Sequence, residues 1–411
     1  MTIYIVTFTS LLGKQTLADN PFGTVINELR KQYTIELVDQ REMGRLHRSD
    51  FKILLIETGG VEHLVINQYE LLSHPTILLA NGENNSLASA MEIATWLRSK
   101  GMKNEILYGK DSFILQRIHI LYKIFTANNE LNHCRIGVIG TPSPWLIASN
   151  VDYLLAKRRW GVEYIDLPLE QVYEPFSKIK DEEVELACKE IASKALTCKE
   201  STPKDLVKAM RFYKALKEVC IKEKLDAVTL NCFKVIDQIG TTGCLALSLL
   251  NDEGIIAGCE GDLQSIFTML VVKALTGKST FMGNPAKIDI ESNILTLAHC
   301  TIGLKQTKDY TIRSHFESKI GIAIQGTLSE GDVSIIKCGG ECLDDYYLSS
   351  GTLLKNTDNP KMCRTQIQIM MNTPVDYFIK NSIGNHHIVV QGNEENLLNE
   401  FFQSNICRQI K

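Results

Sequence analysis

No CxxC pair occurs anywhere in this 411-residue chain, although it holds 12 cysteines. They stand singly, often beside apolar neighbours, and the closest two are Cys338 and Cys342. That scatter predicts reduced, mostly buried thiols in a cytoplasmic protein rather than a disulfide framework. The chain also lacks G-x-G-x-x-G and G-x-x-x-x-G-K-[ST], so it shows neither of the familiar dinucleotide and nucleoside triphosphate cradles. No apolar run approaches the roughly 18 residues of a membrane span. The N-terminal MTIYIVTFTSLLGKQ has no basic leader and reads as a first strand, not a signal peptide. A basic surplus is missing too: the formal net charge of -4 argues against nucleic acid as a partner.

What is present is a soluble, globular composition, 44% hydrophobic and 22% charged, too long for one ordinary core. Short apolar runs alternate with amphipathic stretches over 1–132, which predicts βαβ units on a parallel sheet. Two loops there follow strands directly, Thr58-Gly59-Gly60 and Asn81 to Ser86. They are either close-approach loops for a ligand or simply tight βα turns. A second α/β unit spans 133–278, opening with a strand at 135–139, then GTPSPW and a helix expected over 146–159. The charged region 181–224 reads as helix, interrupted near Ser201-Thr202-Pro203, with a solvated face and no chemistry. A strand is expected at 227–233. Over 279–411 strand-like runs follow one another with few helices, which predicts a β-rich, barrel-like domain. The expected fold class is therefore α/β: two parallel-sheet, Rossmann-like α/β domains followed by a β-rich, barrel-like C-terminal domain.

The stretch from Gly254 to Leu304 concentrates the polar chemistry. An apolar run to Cys259 ends in Glu260-Gly261-Asp262, a helical pattern runs on to Gly277, and Gly283-Asn284-Pro285 reads as a turn. The strand-like run 294–299 then ends in His299. Groups just past the carboxyl ends of strands converge on ligands in open α/β folds. The plainer reading is that Glu260 and Asp262 merely start a helix, where negative charge suits the dipole. Elsewhere, the alternation of RSHFE sets Arg313, His315 and Glu317 on one face, for metal or substrate or as a solvent-facing stripe. Arg364 offers a guanidinium fork to a substrate oxygen or to a surface acid. His386 and His387 are adjacent, so at most one of them enters a pocket. Trp145 is either a sugar-stacking platform or core filling.

Three motifs, CEGDLQSIFTMLVVKALTG with TFMGNP, then NILTLAHC, then GNHHIVVQGN, resemble the L-fucose isomerase and L-arabinose isomerase superfamily, whose members interconvert aldoses and ketoses with a divalent cation, typically manganese. The resemblance implies a metal site of Glu260, Asn284, His299 and His387 or its neighbour His386. It implies a sugar substrate and a homo-oligomer, a trimer or hexamer. Asn284, 24 residues after Glu260, stands where the fucose-type pattern has a second acid. An amide oxygen can ligate a hard cation but neither neutralises it nor carries a proton. Moving a carbonyl between C1 and C2 requires a carboxylate to shuttle the proton while an enediolate is stabilised. Glu260, Asp262 and Glu317 are the candidates, with Arg364, His315 and Trp145 as substrate contacts. The function expected is a metal-dependent aldose–ketose isomerase; the alternative is a related carbohydrate-binding protein without isomerase activity.

Overall fold

The computed structural model describes residues 2–10 and 22–411, arranged as two compact units, 1–125 and 126–411. In the first, β1 (Thr2–Phe8), β2 (Thr34–Asp39), β3 (Phe51–Ile56), β4 (Thr76–Ala80) and β5 (Asn104–Leu107) form a parallel sheet of order β2-β1-β3-β4-β5. Both faces are covered, so β3 and β4 are buried at every position and read as unbroken apolar runs. Ile53 and Leu55 enter one core while Leu54 and Ile56 enter the other. The two loops singled out above pack on each other: Gly59 donates to Asn84 O at 2.7 Å, and a Cβ on Gly59 would sit 2.8 Å from Asn85 Cβ.

The second unit opens with another parallel sheet. Its strands are β6 (Arg135–Ile139), β7 (Glu163–Leu167), β9 (Ala227–Leu230) and β10 (Ile256–Cys259), in the order β10-β9-β6-β7. Between them the two-residue β8 (Thr197–Cys198) leaves this layer to pair with β13 (Asp309–Arg313), which pairs in turn with β14 (Ala323–Thr327). The expected helix over 146–159 is shorter, Tyr153–Trp160, because Asp152 accepts from Leu154 N and Leu155 N and caps it there. Residues 141–152 are instead a loop, held in part by Gln264, whose amide donates to Ala148 O and Asn150 O. The strand expected at 227–233 stops at Leu230, since Asn231 caps the helix Cys232–Ile239. The interruption near Pro203 is real: Thr202 and Asp205 make a capping box for Pro203–Lys222.

The C-terminal strands close into an antiparallel barrel. In circular order β15 (Gly331–Gly339), β18 (His387–Gln391), β11 (Phe281–Asp289), β12 (Ile294–His299), β17 (Thr365–Met371) and β16 (Asp345–Asn356) pair until β16 meets β15 again. Closure leaves no free edge among these six. Gly283-Asn284-Pro285 is not a turn but part of β11, with Asn284 opposite Ala298 and the register slipping between Pro285 and Lys287. The two α/β sheets and the barrel match the fold class read from the sequence. No helix among the described residues is long and apolar enough to cross a membrane.

Candidate active site and metal centre

β10 ends at Cys259, and the chain turns sharply to deliver Glu260. Glu260 and Gly261 both have positive φ, 63° and 72°. For Gly261 the reason is steric as well, because a Cβ would lie 2.6 Å from Pro142 Cα. Glu260 is a glutamate in a region that costs a non-glycine residue about 1–3 kcal/mol, so neighbours must hold it. They do: Glu260 O accepts from Ser143 N at 2.9 Å, and Trp145 Nε1–H donates to Glu260 Oε2 at 2.7 Å. The GTPSPW loop is thus a clamp on the first acid.

Two residues on, Asp262 caps the helix Leu263–Thr276 by accepting from Ser265 N at 2.7 Å. Helix capping, the plainer reading of this acid, is part of its work. Fully buried, its carboxylate also meets Lys337 Nζ at 3.4 Å and His386 Nδ1 at 2.9 Å. Burial alone would raise its pKa, but the Lys337 charge and the His386 hydrogen bond hold it well below the usual carboxylate range. For Glu260 burial is likewise the largest influence and is overcome by the nearby His386 imidazole and the hydrogen bond from Trp145, leaving its pKa at about 2. Burial opposes protonation of His386, yet Asp262 and Glu260 together raise its pKa.

With Nδ1 bound to Asp262, His386 turns Nε2 toward Glu260 Oε1, 3.7 Å away, and that buried nitrogen has no hydrogen-bond partner among the described residues. His299, the last residue of β12, faces it with ring centroids 5.4 Å apart. Burial, then the His386 charge, pushes the His299 pKa down to about 4. One donor atom each from Glu260, His299 and His386 lie within 4.8 Å of one another. This donor set fits a divalent cation: an orphaned imidazole nitrogen, a neutral imidazole and an ionised carboxylate converge. A carboxylate on the far nitrogen of His386 completes the arrangement that fixes metal-binding histidines.

A cavity of about 620 Å³ opens over this cluster, lined by Glu260 and His299 together with Trp145, Asn284, His315 and Glu317. Asn284 Oδ1 accepts from Asn385 Nδ2 at 3.4 Å. Trp145 is 48% exposed, so it is rim rather than core, and stands edge-on to Phe233. His315 bonds Ser318 Oγ at 3.1 Å and also meets Phe233 edge-on. Other candidates lie elsewhere. His387 points away from His386 into an aromatic nest, with Nε2 3.2 Å from Tyr377 Oη; its pKa is pushed down to about 3, chiefly by burial. Arg364 is buried but committed, donating to Ser314 O at 2.8 Å and Glu200 Oε2 at 2.9 Å. Arg313 shares Glu200 and also binds Asp358, so the RSHFE face does not act as one. Sequence reasoning missed Lys337, a fully buried cation 75 residues from its partner Asp262, and Asn385. Neither has a local signal.

No family model matches the chain. Curated proteins do. The chain is similar to sulfoquinovose isomerases. It is 24% identical to that of Alkalicoccus urumqiensis over 293 residues, covering 66% of each chain. With that of Priestia megaterium it shares 23% over 261 residues, covering 62% of this chain and 58% of the relative. A third, from Clostridium sp. strain MSTE9, is 27% identical over 222 residues, 53% of this chain and 49% of the relative. The chain therefore spans from about half to just under two thirds of the length of these relatives. This likeness agrees with the resemblance to the L-fucose and L-arabinose isomerase superfamily.

Proposed function

We propose that this protein is an aldose–ketose isomerase of sugar metabolism whose centre is a divalent cation, manganese in the first instance, held by Glu260, His299 and His386. The observation that carries the proposal is the buried, partnerless His386 Nε2 facing Glu260 and His299. A cation bound there would polarise neighbouring sugar oxygens and stabilise the enediolate charge between the two proton transfers. The chain's own residues supply the rest. Asp262 keeps the proton of His386 on Nδ1, so that Nε2 presents a lone pair. Trp145 occupies one oxygen of Glu260 and leaves the other facing His386. Asp262 is bound on all sides and is a positioning residue, not the base. Glu317 lines the cavity, and we assign it the proton transfer between C1 and C2. Asn284 and Asn385 are neutral contacts for sugar hydroxyls, and His315 and Trp145 wall the pocket.

Sulfoquinovose, the substrate in the relatives' name, heads the panel to be tested, with Lys361 on the cavity wall as the cation for an anionic substituent. Purified protein is analysed for metal, then incubated with manganese and a panel of aldoses and ketoses in deuterium oxide. Deuterium entering C2 of one sugar, lost on Glu260→Gln, is the expected result. The neutral Asn284 favours one rival reading, a sugar-binding relative without turnover; binding of a sugar with no deuterium exchange on any would establish it. The cytoplasmic setting, the homo-oligomeric state and the three-domain division at 132 and 278 belong to the same proposal.

A further inference from the structure

Five cysteines line the cavity: Cys232, Cys244, Cys259, Cys300 and Cys363. Isomerisation needs none of them. Cys244 and Cys300 pack with Cys363 against Ala323, and the two flanking thiols hold the Cys300 pKa down. Cys232 and Cys259 differ. Their sulfurs are 2.9 Å apart, and both are free thiols.

Each member of this pair is fixed by the elements that build the site. Cys259 closes β10 and precedes Glu260, while Cys232 opens the helix Cys232–Ile239. β9 and β10 are neighbours, with Cys259 opposite Leu230, two residues before Cys232. Asn231 between them is pinned by Nδ2 bonds to Gly140 O and Thr141 O, at 3.4 and 3.1 Å. The two sulfurs therefore meet because of the register of two strands, not through a mobile loop. A disulfide bond is about 2.05 Å long, so closure needs an approach of only about 0.9 Å. Both residues are nearly inaccessible from the outer surface, at 4% and 5% exposure, and the cavity is their access.

We infer that Cys232 and Cys259 are an oxidation site in the wall of the candidate active site, closing to a reversible intramolecular disulfide with a peroxide small enough to enter the cavity. The chemistry balances. The Cys232 sulfur attacks one peroxide oxygen, the O–O bond breaks, and the other oxygen leaves as water after taking the thiol proton. The Cys259 sulfur then attacks the Cys232 sulfenic acid, and the second oxygen leaves as water. Two thiols lose two electrons and two protons, and one peroxide becomes two waters. Because Glu260 follows Cys259 in a strained conformation, drawing that sulfur inward displaces the carboxylate facing His299 and His386.

The test uses the whole native chain, reduced, desalted and treated with about one equivalent of hydrogen peroxide before alkylation, digestion and mass spectrometry. A Cys232–Cys259 linked peptide pair should form ahead of any linkage to Cys244, Cys300 or Cys363, and dithiothreitol should reverse it. Cys232→Ala should abolish that pair and Cys244→Ala should keep it; Cys259→Ser replaces Cys232→Ala if the latter fails to fold. Thiols that stay unlinked, advance separately to sulfinic acid, or link only after denaturation overturn the inference. Calorimetry with manganese on oxidised and reduced samples reads the effect on Glu260, expected as roughly tenfold weaker binding in the oxidised form. Equal affinity removes that link. The cation arm rests on the proposed metal site: a reduced protein that binds no manganese counts against that site, whereas the peptide map judges the disulfide independently.

Discussion

A single amide sets the charge of the proposed centre. Glu260 supplies one negative charge, His299 is held neutral, and Asn284 lines the same cavity with a neutral oxygen. Attraction for a divalent ion scales with the charge that faces it, and at a screened effective dielectric a carboxylate about 4 Å from the ion contributes about 8 kcal/mol before desolvation, which offsets most of it. Asn284→Asp should therefore tighten manganese binding by roughly tenfold or more, about 1.4 kcal/mol. Calorimetry checks it; unchanged affinity places residue 284 outside reach of the ion. Trp145 makes a complementary test, because its indole N–H serves Glu260 while much of its ring is exposed. Trp145→Phe keeps the edge contact with Phe233 and removes one hydrogen bond to a charged group, a loss of about 1.5–3 kcal/mol in orientation. Isomerase turnover should fall about tenfold or more, with the melting temperature lowered by only a few degrees. A fall in melting temperature with intact turnover would make Trp145 a packing residue.

At the scale of elements, the site is a junction between β10 with its following helix and the barrel strands β12, β15 and β18. Lys337 on β15 reaches Asp262 at the start of that helix and bonds Ser265 Oγ at 2.9 Å, with both charged side chains fully buried. Removing one partner of a buried pair leaves the other uncompensated, which costs about 3–5 kcal/mol. Lys337→Met should destabilise the second unit by that order in chemical denaturation, and Lys337→Met with Asp262→Asn should recover part of the loss. Additive losses would mean that the two charges are not coupled. This junction was only partly legible in the sequence. Parallel strands were readable because burial on both faces makes them continuous apolar runs, as in FKILLI of β3. β16 was not, since its buried stretch holds Ser349 and Ser350 and shows no alternation. The helix at Cys232 hid inside an apolar run whose cap, Asn231, resembles any loop residue. Period two allowed at most one of His386 and His387 to face the site; the pairing of Gly283 with His387 and the bond between His386 and Asp262 set their opposite directions. The Lys337–Asp262 contact depends on barrel closure and leaves no local mark.

For the molecule as a whole, buried imidazoles tie stability to pH. His387 titrates at about 3 and His299 at about 4 in the folded chain, in each case chiefly because burial disfavours the charged form. An unfolded histidine titrates near 6.5. Between about 6.5 and those lowered values the unfolded chain binds more protons at both positions, so stability falls as pH falls, by up to about 1.4 kcal/mol per pH unit for each histidine. His386 has the opposite sign. Its raised pKa adds stability that is fully present below about 6.5 and is lost as pH rises through the folded value. The metal-free protein should thus weaken steadily on the acid side of neutrality, with a further loss at lower pH as Glu260 and Asp262, both depressed, take up protons. His387 is the position at which to isolate the effect, because it touches the aromatic nest and not the three converging donors. Phenylalanine matches its shape among Tyr347, Tyr377 and Phe378, and Tyr377 Oη keeps its bond from Ile383 N at 3.2 Å. Denaturation of wild type and His387→Phe at pH 7 and pH 5 should show the variant losing less stability on acidification, by roughly 1.4–2 kcal/mol. Parallel losses in the two proteins would mean that His387 takes up its proton without cost, and that the nest is open to water.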